Sequence, residues 1–176
     1  MDPLLRGARE GKEAAFARLY DEHHLPLYRF AWRLTGSEAD AEDIVQECFL
    51  ALLRPDCGFD ERRTSLRTYL LGAVRNQALK RFRRREDATA EPEPAPDLRS
   101  PETHALRSEM ESLVERAVRA LPDTQREVLI LAHYEQLPLA EIAEIVGIDI
   151  GAVKSRLQRA RGTLRETLAE YAERLP

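Results

Sequence analysis

No single hydrophobic core can run the length of this chain. Between Glu86 and Glu111 lies EDATAEPEPAPDLRSPETHALRSEME, with four of the ten prolines and eight acids against two arginines. From Glu86 to Pro101 there is too little apolar surface to offset the entropy of ordering, and the repeated prolines favour extended backbone. The stretch predicts a flexible acidic tether between two folding units. At 176 residues in all each unit is small. A composition of 43% hydrophobic and 33% charged residues suits packed cores under a charged surface.

Before the tether, apolar residues recur at helical spacing, and no stretch shows the sustained alternation of a strand. Phe16, Leu19, Tyr20, His23, Leu27, Phe30, Ala31 and Leu34 form one stripe over 13–34. Thr35-Gly36 ends it, and Ser37-Glu-Ala-Asp40 has the form of a capping box for a second helix reaching Leu53. Arg54 to Thr64, with Pro55, Cys57 and Gly58, reads as a loop. A third helix over 65–85 is expected to bury Leu66, Tyr69, Leu70, Ala73, Val74, Gln77 and Ala78. After the tether a helix is expected over 104–120. Thr124-Gln-Arg-Glu127 reads as a second capping box, opening a helix to Glu135, and Leu137-Pro138 opens another that ends at Gly147. Asp149 is placed to cap the last helix. The expected fold class is all-α: small helical domains at 1–85 and 104–176, joined by an acidic linker over 86–103.

The charge is unevenly distributed. Against a formal net charge of -4, the stretch GAVKSRLQRAR at 151–161 holds Lys154, Arg156, Arg159 and Arg161 without a carboxylate. It closes LAEIAEIVGIDIGAVKSRLQRAR, which has the marks of a helix-turn-helix. Ala143 is small at the crossing, Gly147 suits a left-handed turn, and Ile142, Ile148, Val153 and Leu157 fill the shared core. Lys154, Ser155, Gln158 and Arg159 then project from the other side, with Arg156 and Arg161 flanking. A DNA major groove admits such a helix and offers acceptors to arginine. RNQALKRFRRR at 75–85 carries six basic residues and no acid, interleaved with Asn76, Gln77 and Phe82, a composition suited to single-stranded nucleic acid. The second helix is opposite in sign. Glu38, Asp40, Glu42, Asp43 and Glu47 occur without a base, beside Gln46 and Phe49 as expected exposed residues. DNA repels such a face, which should meet a protein.

Other function classes find little support. His23, His24, His104 and His133 lack a nucleophile or paired carboxylate at a usable spacing, and there is no phosphate-binding glycine loop. No enzyme activity and no cofactor are expected. Cys48 and Cys57 are too few for a disulfide framework, and no CxxC or HxxxH spacing joins them to His23 and His24 as a metal site. The first residues, MDPLLRGAREGKEAAF, lack a signal peptide's basic and apolar segments, and no window has the roughly 18 apolar residues of a membrane span. A reduced, cytoplasmic protein is expected, without membrane insertion.

DAEDIVQECFLALL (40–53) followed by SLRTYLLGAVRNQALKRFRRR (65–85) resembles region 2 of bacterial sigma factors. LPDTQREVLILAHYEQLPLAEIAEIVGIDIGAVKSRLQRARGTL (121–164) resembles region 4, and two domains with a short linker are similar to the extracytoplasmic-function group. No long regulatory domain is expected after the recognition helix. The resemblance implies binding to core RNA polymerase and promoter-specific initiation. It places Asp43, Gln46 and Glu47, with Ile44 and Phe49 nearby, on a docking surface for the clamp helices of the polymerase's largest subunit. The loop 54–64 with Arg63, and the helix with Tyr69, Arg75, Asn76, Lys80 and Arg83, match the part that captures the single-stranded non-template minus-10 element. Lys154, Ser155, Arg156, Gln158 and Arg159 match the reader of duplex DNA at the minus-35 element. The linker matches the segment threaded along the polymerase interior, and an anti-sigma factor is an implied partner. Tyr69 stands where the family often has tryptophan, and Ala152 where it often has threonine. Low aromatic content, 6%, implies modest melting power. The alternatives are a self-sufficient helix-turn-helix regulator, which would bind duplex DNA without polymerase, and an RNA-binding protein using RNQALKRFRRR.

Overall fold

A computed structural model describes residues 2–87 and 109–172. Most of the expected linker, residues 88–103, and the expected helix start at His104 therefore lie outside the described residues. The chain divides into two compact units, Met1–Pro94 and Ala95–Pro176. Every regular element among the described residues is an α-helix. The first unit holds α1 (Pro3–Arg9), α2 (Glu13–Thr35), α3 (Glu38–Leu53) and α4 (Leu66–Asp87). The second holds α5 (Glu109–Arg119), α6 (Asp123–His133), α7 (Leu139–Val146) and α8 (Ile150–Ala172).

In the first unit α2 is the central helix, packed against α1, α3 and α4. Its stripe buries Leu19, Leu27, Phe30, Ala31 and Leu34, while Phe16, Tyr20 and His23 remain half-buried. The helix stays regular through Pro26, at the loss of one backbone hydrogen bond. It stops at Gly36, whose φ of 71° is left-handed and whose N–H donates to the Trp32 carbonyl at 2.8 Å. Ser37 then caps α3, its hydroxyl accepting from the Asp40 N–H at 3.2 Å, as the sequence predicts. Ala41, Ile44, Val45, Cys48, Phe49 and Leu52 of α3 meet Leu66, Leu70, Leu71, Val74 and Ala78 of α4 in one core. Of the expected α4 face, Tyr69, Ala73 and Gln77 are only half-buried; Leu71 and Thr68 are buried in their stead.

α1 is not among the helices expected from the sequence. Asp2 caps it, accepting from the N–H groups of Leu4 (2.8 Å) and Leu5 (3.1 Å), and Pro3 opens it where no amide proton is needed. Gly7 lets α1 lie close to α2, since a Cβ there would stand 2.8 Å from the Ala15 Cβ.

In the second unit α8 packs on α5, α6 and α7. Leu113, Ala117, Val118, Val128, Ile130, Leu131, Ile142, Val153, Leu157 and Ala160 form its core. Two expectations are corrected here. α6 begins at Asp123 behind Pro122, which offers no side-chain cap, so Thr124 lies inside the first turn and does not cap. Pro138 is the cap residue of α7, not its first helical residue. The turn between α7 and α8 is as read: Gly147 (φ 73°) and Ile148 both donate to the Ala143 carbonyl, at 2.9 and 3.2 Å, and Asp149 caps α8 by accepting from the Ala152 N–H at 2.9 Å. A Cβ at Gly151 would sit 2.9 Å from Asp149 Oδ1, so a side chain there would displace the capping carboxylate slightly.

Candidate functional site

The helix-turn-helix presents one polar stripe. Because Val153, Leu157 and Ala160 turn into the core, Lys154, Ser155, Gln158 and Arg159 lie exposed. Ser155 donates to the Gly151 carbonyl at 3.0 Å, and Arg159 Nε to the Ser155 carbonyl at 3.3 Å. Arg156 is different. Its guanidinium donates to the Glu127 carboxylate of α6 at 3.2 Å, and Glu127 is only 4% exposed. A buried carboxylate requires a partner, so Arg156 anchors the recognition helix to α6 and is withdrawn from the expected set of groove-facing side chains. Glu127, read in sequence as half of a capping box, is the other half of this pair. Arg161 approaches His133 Nε2 at 3.2 Å.

In the first unit the acidic stripe of α3 exposes Asp43, Gln46 and Glu47. Ile44 (0% exposed) and Phe49 (2%) do not join them. Phe49 packs against Phe16 and Tyr20, with ring centroids 6.3 and 4.9 Å apart. Burial of such side chains contributes about 1.5–3 kcal/mol each, and both belong to the core. Leu50, which the sequence analysis does not single out, is 65% exposed and continues the Asp43–Gln46–Glu47 stripe by one turn. Arg81 crosses from α4 to these acids, 2.9 Å from Glu47 and 3.8 Å from both Asp40 and Asp43. One member of the basic run thus belongs to the acidic face.

The rest of α4 keeps its basic character. Asn76, Lys80 and Arg83 are exposed and Arg75 is half-buried; with Leu79 and Arg84 they line an open hollow of about 480 Å³. The loop 54–64 leads into this helix, with Arg63 exposed. Tyr69 faces the loop. Its hydroxyl donates to the Cys57 carbonyl, its ring packs on Phe59 with centroids 5.2 Å apart, and desolvation, ahead of the neighbouring Cys57, raises its pKa and keeps the donor protonated.

Cys48 lies behind this surface. Burial, with a smaller contribution from Glu47, pushes its thiol up to about 12, whereas Cys57 is half-exposed. Iodoacetamide should therefore modify Cys57 alone in the folded protein and both thiols in guanidinium, read as adduct mass. Native labelling of Cys48 would contradict this burial. No cluster of metal-ligating side chains occurs among the described residues.

Comparison with known proteins places these surfaces in a family. Residues 19–87 match the family model of Sigma-70 region 2, and residues 111–164 that of Sigma-70, region 4. The ECF RNA polymerase sigma factor SigL of Mycobacterium tuberculosis is 37% identical over 174 residues, covering 93% of this chain and 94% of the relative. SigW of Bacillus subtilis is 28% identical over 94% of this chain and 95% of its own. Among solved structures, the sigma factor RpoE from Bartonella quintana, crystallised with the anti-sigma factor NepR, superposes with a TM-score of 0.72 at 26% identity, over 88% of this chain and 96% of that one. Because identity is sustained along nearly the whole of both chains, the acidic helix, the basic helix and the helix-turn-helix have one explanation: the chain belongs to the ECF RNA polymerase sigma factors and acts in transcription initiation.

Proposed function

We propose the following division of labour for this sigma factor. Residues 1–85 dock on core RNA polymerase and capture the minus-10 element, residues 86–103 run along the polymerase interior, and residues 104–176 read the minus-35 element. Asp43, Gln46 and Glu47, with Leu50, form the docking face. Arg63, Tyr69, Arg75, Asn76, Lys80 and Arg83 meet the non-template single strand. Lys154, Ser155, Gln158 and Arg159 enter the major groove of the minus-35 duplex, some holding phosphates and others base edges. The observation that carries the reading is the exposed stripe of α8 opposite a fully buried one, opening at a left-handed turn.

Docking raises the effective concentration of both DNA readers, so neither needs to bind tightly alone, and a net charge of -4 keeps the free protein off bulk DNA. Bond-making chemistry stays with the polymerase. The protein works in the cytoplasm, where its polymerase and promoters are, and an anti-sigma factor holds it inactive, as the NepR complex of the Bartonella quintana relative suggests. No helix among the described residues is long and apolar enough to cross a membrane.

Run-off transcription with core polymerase, the protein and a library of genomic fragments tests this. Start sites should share two spaced elements. Lys154→Ala or Arg159→Ala should each lower product about tenfold at promoters that depend on the upstream element, the loss of one good contact, with core binding unchanged. Uniform loss across templates would remove the base-reading assignment. Absence of product with DNA binding retained without core would indicate a self-sufficient regulator.

A further inference from the structure

A side chain from outside the matched sigma regions joins the end of α3 to the loop 54–64. Arg9, the last residue of α1, donates through Nε and Nη2 to the Leu52 carbonyl in the final turn of α3, at 3.2 and 3.0 Å. The same Nη2 reaches Cys57 Sγ at 2.7 Å. That sulfur also accepts from the Phe59 N–H at 3.4 Å, and the Cys57 carbonyl accepts from the Tyr69 hydroxyl. One guanidinium therefore satisfies a helix-end carbonyl and grips the loop two residues before Phe59. Its own position is fixed, because α1 is capped by Asp2, inserts Leu5 completely into the core and approaches α2 at Gly7. Beyond the grip the loop turns outward: Asp60 accepts from the N–H groups of Arg62, Arg63 and Thr64, which leaves Arg62 and Arg63 exposed. Arg9, Phe59, Asp60 and Glu61 line a hollow of about 180 Å³ at this place.

We propose that Arg9 is a positioning residue for the minus-10 reader, holding the loop 54–64 in the conformation that meets the single strand, and that α1 is thereby a working part of promoter recognition. This rests on the assignment of the loop to minus-10 capture. Ordering the loop before DNA arrives removes part of the entropic cost of binding, so loss of Arg9 should fall on single-strand affinity while spring-loading nothing at the docking face or in the second unit.

The test compares Arg9→Met, which keeps the apolar stem but no donor, and Cys57→Ala, which removes the sulfur acceptor alone, with Arg63→Ala as a control on the loop itself. Each holoenzyme is titrated with a labelled single-stranded oligonucleotide carrying the non-template minus-10 sequence recovered by run-off selection, and separately with the minus-35 duplex. Arg9→Met should weaken single-strand binding about tenfold and Cys57→Ala about threefold, with duplex binding and core affinity unchanged; Arg9→Met, which also strips the Leu52 carbonyl of its donor, should lower the unfolding midpoint by several degrees, and Cys57→Ala should not. If Arg63→Ala weakens single-strand binding and neither other variant does, the role of Arg9 is refuted and the loop assignment stands. If all three bind normally, the loop assignment falls and the proposal with it. Equal loss on both DNA probes, or a collapsed midpoint in Arg9→Met with normal binding by Cys57→Ala, would make Arg9 a general folding residue and also overturn it.

Discussion

Replacing Arg156 with methionine should lower the unfolding midpoint of the second unit by roughly 10–20 °C, far more than truncation of the exposed Lys154 or Arg159 on the same helix. The reason is Glu127. Removing one member of a buried ion pair costs about 3–5 kcal/mol when both partners are fully enclosed. Here Arg156 is partly solvated, with its side chain 25% exposed, while Glu127 is enclosed, so the lower end, about 2–3 kcal/mol, is expected. In a unit of this size each kcal/mol moves the midpoint by about 4–8 °C. Lys154→Ala and Arg159→Ala touch only solvated side chains and should stay within about 0.5 kcal/mol of the parent. Calorimetry on the full chain separates the cases. A double replacement, Glu127→Leu with Arg156→Met, should recover most of the lost stability, because it removes the buried carboxylate together with the guanidinium that faces it. A midpoint for Arg156→Met within about 2 °C of the parent, with transcription lost only at minus-35-dependent promoters, would return Arg156 to the groove-facing set.

Arg156 also shows where sequence reasoning reaches its limit. The pattern Thr124-x-x-Glu127 is shared by a capping box and by any first-turn helix with an inward glutamate, and only the packing of α6 on α8 distinguishes them. Periodicity located α2, α3, α4 and the helix-turn-helix because each carries long stripes or a left-handed glycine with a cap. The seven residues of α1 hold too few turns to show a period, although Asp2 followed by Pro3 was a usable signal. On α3 the acidic run suggests an exposed Phe49, which the packing overturns. The helix packs on both α2 and α4, so its buried arc is wide enough to take in Ile44 and Phe49, and the exposed apolar position falls at Leu50. Arg81 was legible in retrospect: Val74, Ala78 and Arg81 are spaced i, i+4, i+7, so it extends the buried stripe of α4 and leaves the basic face to Lys80, Arg83 and their neighbours. Its 19% side-chain exposure reflects that geometry. Residue identity located the surfaces; which members of a charge run face which partner depended on inter-helix contacts that no local pattern encodes.

Those contacts also decide which charge reversal is the clean test of docking. Asp43→Lys should reduce affinity for core polymerase at least about a hundredfold, since a like charge set against a basic partner surface costs several kcal/mol, while the fold is untouched. Asp43 is 67% exposed and lies 3.8 Å from Arg81, and an exposed pair of that kind contributes at most about 1 kcal/mol. Arg81 retains Asp40 and Glu47 after the change. Glu47→Lys is a poorer probe, because Glu47 is the nearest of the three acids at 2.9 Å, and an ammonium there would repel Arg81 and disturb the α3–α4 contact as well as the partner. The two variants should therefore separate on thermal unfolding, with Asp43→Lys within about 3 °C of the parent and Glu47→Lys lower, yet both should fail to co-purify with core. Because the proposed docking face is solvated, the parent complex should weaken as salt rises, and Asp43→Lys should show a shallower salt dependence. Undiminished co-purification of a stable Asp43→Lys protein would move the docking surface off α3 altogether. Loss of core binding with both proposed DNA readers intact would instead show that this acidic helix delivers them to the polymerase.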